Sequence, residues 1–131
     1  MSTAASTQQD LTAAVRALDS EFARLANAGD AASLTDHFYA EDATLLPPGA
    51  PAMKGKAAIR EFWAGFISAL QPSEAALEAT LVEGSGELVY STGAYGFTSG
   101  GVRHTGKYLV VLRRQPDGSL KCVADAFGPN E

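Results

Sequence analysis

Tyr39-Ala-Glu-Asp-Ala-Thr-Leu-Leu-Pro-Pro-Gly49 carries the chain from one kind of secondary structure into another. It closes a helical entry, opens a strand over Ala43–Leu46 and stops that strand with Pro47-Pro48-Gly49. Upstream, Leu11, Val15, Leu18, Phe22 and Leu25 recur at helical spacing and form the stripe of an amphipathic helix. Ser6 with Gln9 offers a capping box at its start. Gly29 suits the left-handed position after its end, and Asp30 can N-cap a second short helix carrying Leu34 and Phe38. Downstream, Ile59, Phe62, Trp63, Phe66, Ile67 and Leu70 predict a third helix over about Lys56–Leu70, with Pro72 marking its end.

Everything after Pro72 reads as strand. Ala75–Glu83 alternates loosely, Gly84-Ser85-Gly86 turns the chain, and Glu87–Phe97 follows. Thr98-Ser99-Gly100-Gly101 turns it again before Val102–Arg114, and Gln115-Pro116-Asp117-Gly118 leads into Ser119–Phe127. The closing strands do not alternate: Tyr108-Leu109-Val110-Val111-Leu112 is apolar throughout, as is Cys122-Val123-Ala124. A sheet wet on one side alternates, so a continuous run implies cover on both faces. Three helices supply one cover. A second copy of the chain, packed on the outer sheet face, is the expected other, because a bare apolar face invites aggregation.

With 131 residues the chain makes one domain, expected over residues 10–128 after a flexible tail at 1–9. A net charge of −5 with scattered Lys and Arg argues against a nucleic-acid partner. A single cysteine, Cys122, excludes an internal disulfide and reads as a core thiol. No segment approaches the ~20 apolar residues of a membrane span. Residues 1–10 lack the basic and apolar regions of a signal peptide, so a cytoplasmic protein is expected.

Phe38-Tyr-Ala-Glu-Asp-Ala-Thr-Leu-Leu-Pro-Pro-Gly, Lys54-Gly-Lys-Ala-Ala-Ile-Arg-Glu-Phe-Trp, Ser91-Thr-Gly-Ala-Tyr and Thr105-Gly-Lys-Tyr-Leu-Val-Val-Leu-Arg-Arg, with Pro116-Asp-Gly-Ser-Leu-Lys and Asp125, resemble the NTF2-like superfamily. Within it the chain is similar to small bacterial DUF4440 or SnoaL-like proteins, including the SgcJ/EcaC group. The resemblance implies an α+β cone: three N-terminal helices packed on a curved antiparallel or mixed sheet, enclosing a pocket. It implies little about reaction, since one fold hosts many activities. The ketosteroid isomerase positions fall on Leu46, Phe22 and Val110, all hydrocarbon, so that proton transfer lacks its carboxylate base and enolate donor. The Asp-Arg-Asp set of limonene-type epoxide hydrolases is not supplied. The paired His of scytalone dehydratase is missing too, for His37 and His104 stand far apart.

Asp125 is the foremost candidate for chemistry. A carboxylate in an apolar strand either lines the cone as acid, base or hydrogen-bond anchor, or pairs at the rim with Lys107 or Arg103. His104 reads as a proton shuttle or as a solvated strand-edge side chain. Lys107 has its stem along the sheet, as a ligand contact or an ion-pair partner of Asp125. Tyr90 and Tyr95 have odd separation and fall on opposite faces unless Gly93 marks a bulge. Tyr108 and Trp63 either stack on a planar ligand or pack the core. His37 with Asp36 and Glu41 has no third ligand at a fitting spacing, so neither a metal nor a cofactor is expected. The expected function is a small-molecule pocket protein acting by acid/base chemistry on an apolar or aromatic compound. The alternative is a non-catalytic binding or assembly module, comparable to the association domain of calcium/calmodulin-dependent kinase.

Overall fold

The computed structural model describes residues 4–85 and 87–130. The chain runs α1 (Ala4–Asn27), α2 (Ala31–Phe38), β1 (Tyr39–Leu46), β2 (Met53–Lys54), α3 (Lys56–Leu70), β3 (Ser73–Ser85), β4 (Leu88–Ser99), β5 (Val102–Arg114) and β6 (Leu120–Pro129). The strands form one mixed sheet in the order β2-β1-β6-β5-β4-β3. Among the described residues only the β1–β6 pair is parallel. The α+β cone of three helices on a curved sheet is the fold expected from the sequence.

Local chemistry explains the helical corner. Gly29 takes φ +73°, and Asp30 N–H closes back on Leu25 O over 3.0 Å. Asp30 then accepts from Ser33 N–H at 3.0 Å as the N-cap of α2. Both ends of α1 are tied to β3. Gln8 Nε2 donates to Val82 O over 2.7 Å, and Asn27 both donates to Ala75 O and accepts from Ala75 N–H. Such long-range side-chain bonds fix where the helix lies on the sheet, so its apolar stripe meets the core rather than solvent.

Several boundaries differ from expectation. Helix α1 already runs at Ala4, so Ser6 lies inside it and not at its N-cap. Residues 4–9, expected in the tail, are its first turns, and residues 1–3 lie outside the described residues. Strand β1 starts at Tyr39 rather than Ala43, because the C-cap of α2 is already extended at φ −104°, ψ 144°. The two-residue β2 is too short to give a periodic signal. Gly86 lies outside the described residues, while β3 runs on to Ser85, paired with Leu88.

The register shifts at four places, between Tyr39 and Thr44, Ser73 and Ala76, Ala79 and Leu81, and Val111 and Leu112, and the last two bear on the site. In β3, Ala79 pairs with Gly93 and Leu81 with Thr92, leaving Thr80 as the extra residue. The bulge anticipated at Gly93 therefore sits across from it, and β4 stays regular against β5. In β6, Cys122 pairs with Leu112 and Ala124 with Val111, leaving Val123 extra. That insertion reverses the facing of everything after it. Cys122 and Asp125 consequently share the helix-covered face.

The same face is shaped by glycine. Gly93 lies opposite Tyr108 and Gly106 opposite Tyr95. A Cβ on Gly93 would strike the Tyr108 phenol and Glu78 O; one on Gly106 would strike the Tyr95 phenol and Gly128 O. The missing side chains let both rings lie down along the sheet. Gly106→Ala is expected to lower unfolding free energy by about 1–3 kcal/mol through this overlap. Gly65→Ala, in open space on α3, should raise it by about 0.5–1 kcal/mol through helix propensity. Urea midpoints of the two variants measure both; equal midpoints would show that the Tyr95 ring yields freely.

Candidate functional site

Between the helices and the sheet lies a cavity of about 80 Å³. Helix α3 contributes Trp63 and Phe66 to its wall, β4 Tyr95 and Phe97, β5 Tyr108, and β6 Phe127 and Asp125. The rings brace each other: Trp63 stacks on Phe127 with centroids 5.5 Å apart, and Tyr95 lies over Phe97 at 6.3 Å.

Asp125, only 6% exposed, is held from one side. Trp63 Nε1–H donates to the Tyr39 hydroxyl over 3.1 Å, and that hydroxyl donates to Asp125 Oδ2 over 2.6 Å. The other carboxylate oxygen has no hydrogen-bond partner among the described residues. Burial pushes the Asp125 carboxyl up to about 7, opposed by the Tyr39 hydrogen bond and reinforced by the charge on Asp19. A second acid lies nearby. Asp19, 2% exposed on α1, accepts from the Tyr108 hydroxyl over 2.8 Å. Burial pushes it up to about 6 against that hydrogen bond. Burial likewise drives the Tyr39 and Tyr108 phenols upward, so both act as donors at neutral pH.

Of the side chains singled out from sequence, Asp125, Trp63, Tyr95 and Tyr108 meet at this cavity. His104 stands beside it, stacked on Phe97 at 5.1 Å but outside the wall. Tyr90 and Lys107 point to the opposite face. Tyr90 is 41% exposed, and the Lys107 ammonium donates to Pro129 O instead of reaching Asp125. Arg103 donates to Glu74 O at 2.8 Å, so neither base forms the rim ion pair considered for Asp125. Cys122 is a fully buried thiol, pushed up by burial, as its place in an apolar run implied. Among the described residues no group of three His, Cys, Asp or Glu is arranged to hold a metal; Asp36 and Glu41 flank Lys56 at 3.5 and 3.4 Å.

Two site residues escaped the sequence reading. Tyr39 is a fully buried residue of β1, although in the sequence it opens the segment that closes the helical entry. Asp19 sits four residues after Val15 and three before Phe22, within the apolar stripe of α1. An acid at such a position is the signal that would have found it.

Asp125 binds its proton more tightly folded than unfolded, so its ionisation opposes folding as pH rises from its ordinary 3.8 towards 7. Asp125→Asn should match wild-type stability near pH 4 and exceed it by about 2–4 kcal/mol at pH 8. Denaturant titration at both pH values measures this. A constant difference between the two proteins would mean that Asp125 is not the titrating group.

A family model described as the SnoaL-like domain matches residues 20–122. Among curated proteins no relative matches the sequence. Solved structures share the fold. An NTF2-like protein with a cystatin-like fold from Novosphingobium aromaticivorans aligns with TM-score 0.79 and 21% identity, over 95% of this chain and 85% of its own. A ketosteroid isomerase-like protein from Erwinia carotovora atroseptica aligns with TM-score 0.77 and 21% identity, over 92% and 96%. A protein of unknown function from Mycobacterium tuberculosis gives TM-score 0.83 at 18% identity, over 98% and 77%. Identities this low carry the fold alone. With the family match spanning most of the domain and the helix-on-sheet cone in place, this chain belongs to the SnoaL-like family and has the NTF2-like fold.

Proposed function

We propose that this protein binds a small apolar or aromatic molecule in the helix–sheet cavity and uses Asp125 as its acid/base group, in a reaction of the isomerase, cyclase or hydrolase class. The observation that carries the reading is the Trp63–Tyr39–Asp125 chain, which leaves one carboxylate oxygen for a ligand. A group titrating at about 7 holds both protonation states at neutral pH, the condition under which one side chain can take a proton and return it. The ketosteroid isomerase positions do not supply this chemistry, since Phe22 and Val110 give the cavity only hydrocarbon. Asp125 occupies a different strand and would act from there.

The elementary step is proton abstraction beside a carbonyl. The Asp125 carboxylate takes the α-proton, and the C–H electron pair moves into the enolate, leaving the negative charge on oxygen. The resulting carboxyl group then returns a proton to carbon. Cyclopentanone, small enough to probe the cavity, tests this by exchange of its α-protons in D₂O, followed by NMR. Wild-type protein should accelerate exchange over buffer, and Asp125→Asn should lose about 10²-fold or more of that acceleration. Exchange at the buffer rate with wild type would end the acid/base reading.

A second reading, as an assembly module, draws on the outer sheet face. There Leu81, Leu88, Tyr90 and Leu109 are all exposed, with Leu109 at 46%. Exposed hydrocarbon on a sheet face favours a second copy packed against it, and the homodimer is proposed under either reading. Sedimentation should give a dimer at micromolar concentration and a folded monomer for Leu109→Lys. A wild-type monomer would remove the dimer, and the assembly reading with it.

A further inference from the structure

The cavity has an unusual balance of groups. Six aromatic side chains from α3, β4, β5 and β6 surround it, and no Lys, Arg or His contributes to its wall. Asp125 lies in the wall and Asp19 lies behind it on the Tyr108 hydroxyl; both are buried, and among the described residues the hydrogen-bond partner of each is a tyrosine hydroxyl. A buried carboxylate is ordinarily matched by a basic side chain. Among the described residues none is within reach of either acid. The nearby ammonium of Lys107 is on the far face of the sheet, and Arg103 is engaged with Glu74 O.

Aromatic rings with an adjacent unmatched carboxylate are what an organic cation requires. Ring faces attract a cation within about 6 Å, and the attraction grows when the site is dry. The cavity measures about 80 Å³. It therefore suits a compact head group better than a fused ring system.

We infer that the ligand of this cavity carries a compact ammonium group, seated among the rings with its charge against the free oxygen of Asp125. The inference rests on the pocket reading above and narrows its ligand class. The cation replaces the missing basic partner and keeps Asp125 ionised, the form that accepts a proton. The titratable groups facing Asp125 are Asp19 from α1, Tyr39 from β1, Tyr108 from β5 and Cys122 on β6 itself; α3 presents only Trp63. Both phenols and the thiol are pushed upward by burial and stay neutral up to mild alkalinity. Of these groups facing Asp125, the two acids are the ones that change charge between pH 5 and 8.5, and both changes favour a cation at higher pH. A neutral ligand accepting a hydrogen bond from protonated Asp125 would show the opposite trend.

Choline and 3,3-dimethyl-1-butanol differ only in a quaternary nitrogen replaced by carbon, and choline keeps its charge at every pH. Trp63, the one tryptophan in the chain, reports occupancy through its emission. Calorimetric titration of wild type at pH 8.5 should favour choline over its neutral isostere by tenfold or more. That preference should shrink at least fivefold at pH 5, and likewise in Asp125→Asn at pH 8.5. The wild-type pH comparison decides the matter even if the variant folds poorly. Equal binding of the two probes at pH 8.5 would overturn the cation while leaving the pocket reading intact, as would a choline preference indifferent to both pH and Asp125→Asn. If neither probe binds, the cation falls, and the cyclopentanone exchange then decides separately whether the pocket reading falls with it.

Discussion

The 2.6 Å hydrogen bond from the Tyr39 hydroxyl to the Asp125 carboxylate is the constraint around which the site is organised. Burying a carboxyl group without a partner costs several kcal/mol in ionised form. Tyr39 limits that cost from β1, the only strand parallel to β6. Trp63 then donates to the same hydroxyl from α3, so helix, first strand and closing strand are joined through one oxygen. Removing the hydroxyl would leave both the indole N–H and the carboxyl group without a protein partner, at about 1–3 kcal/mol for each buried group.

Beside that bond, large and small residues face each other across β4 and β5. Gly93 makes room for Tyr108, and Gly106 for Tyr95. The Tyr108 hydroxyl is then directed to Asp19 of α1, which links the far helix to the same polar cluster. The two acids share a setting without a buried base, and each makes ionisation of the other harder. This electrostatic arrangement, more than any single residue, separates the site from a plain hydrophobic core.

The opposite face of the sheet obeys a different rule. Tyr108, Val110 and Leu112 are buried under the helices, while Leu109 between them is open. The apolar run in β5 is thus covered on one side only by this chain. Arg113, at the end of the same strand, reaches Asp42 of β1 at 2.9 Å, so the exposed hydrocarbon gives way to ion pairing there.

The sequence by itself determined the three helices, the strands other than β2, and the cone. Helical periodicity placed α3 over Lys56–Leu70, and Gly29 with Asp30 placed the corner, because caps and amphipathic stripes are local chemistry. The odd separation of Tyr90 and Tyr95 put them on opposite faces, and the regular β4–β5 register keeps them there. Asp125 stood out as a carboxylate in a hydrocarbon strand, but its direction could not be read from alternation. Counting by twos from Cys122 turns it outward, and only the extra residue at Val123 turns it in. That bulge is a property of the register between β5 and β6, not of either strand alone. Tyr39 and Asp19 were hidden for a related reason. Each became a partner only when strands and helices separated by 86 and 89 residues were brought together. Local periodicity carries no term for such distances, so tertiary packing alone decided which polar groups meet.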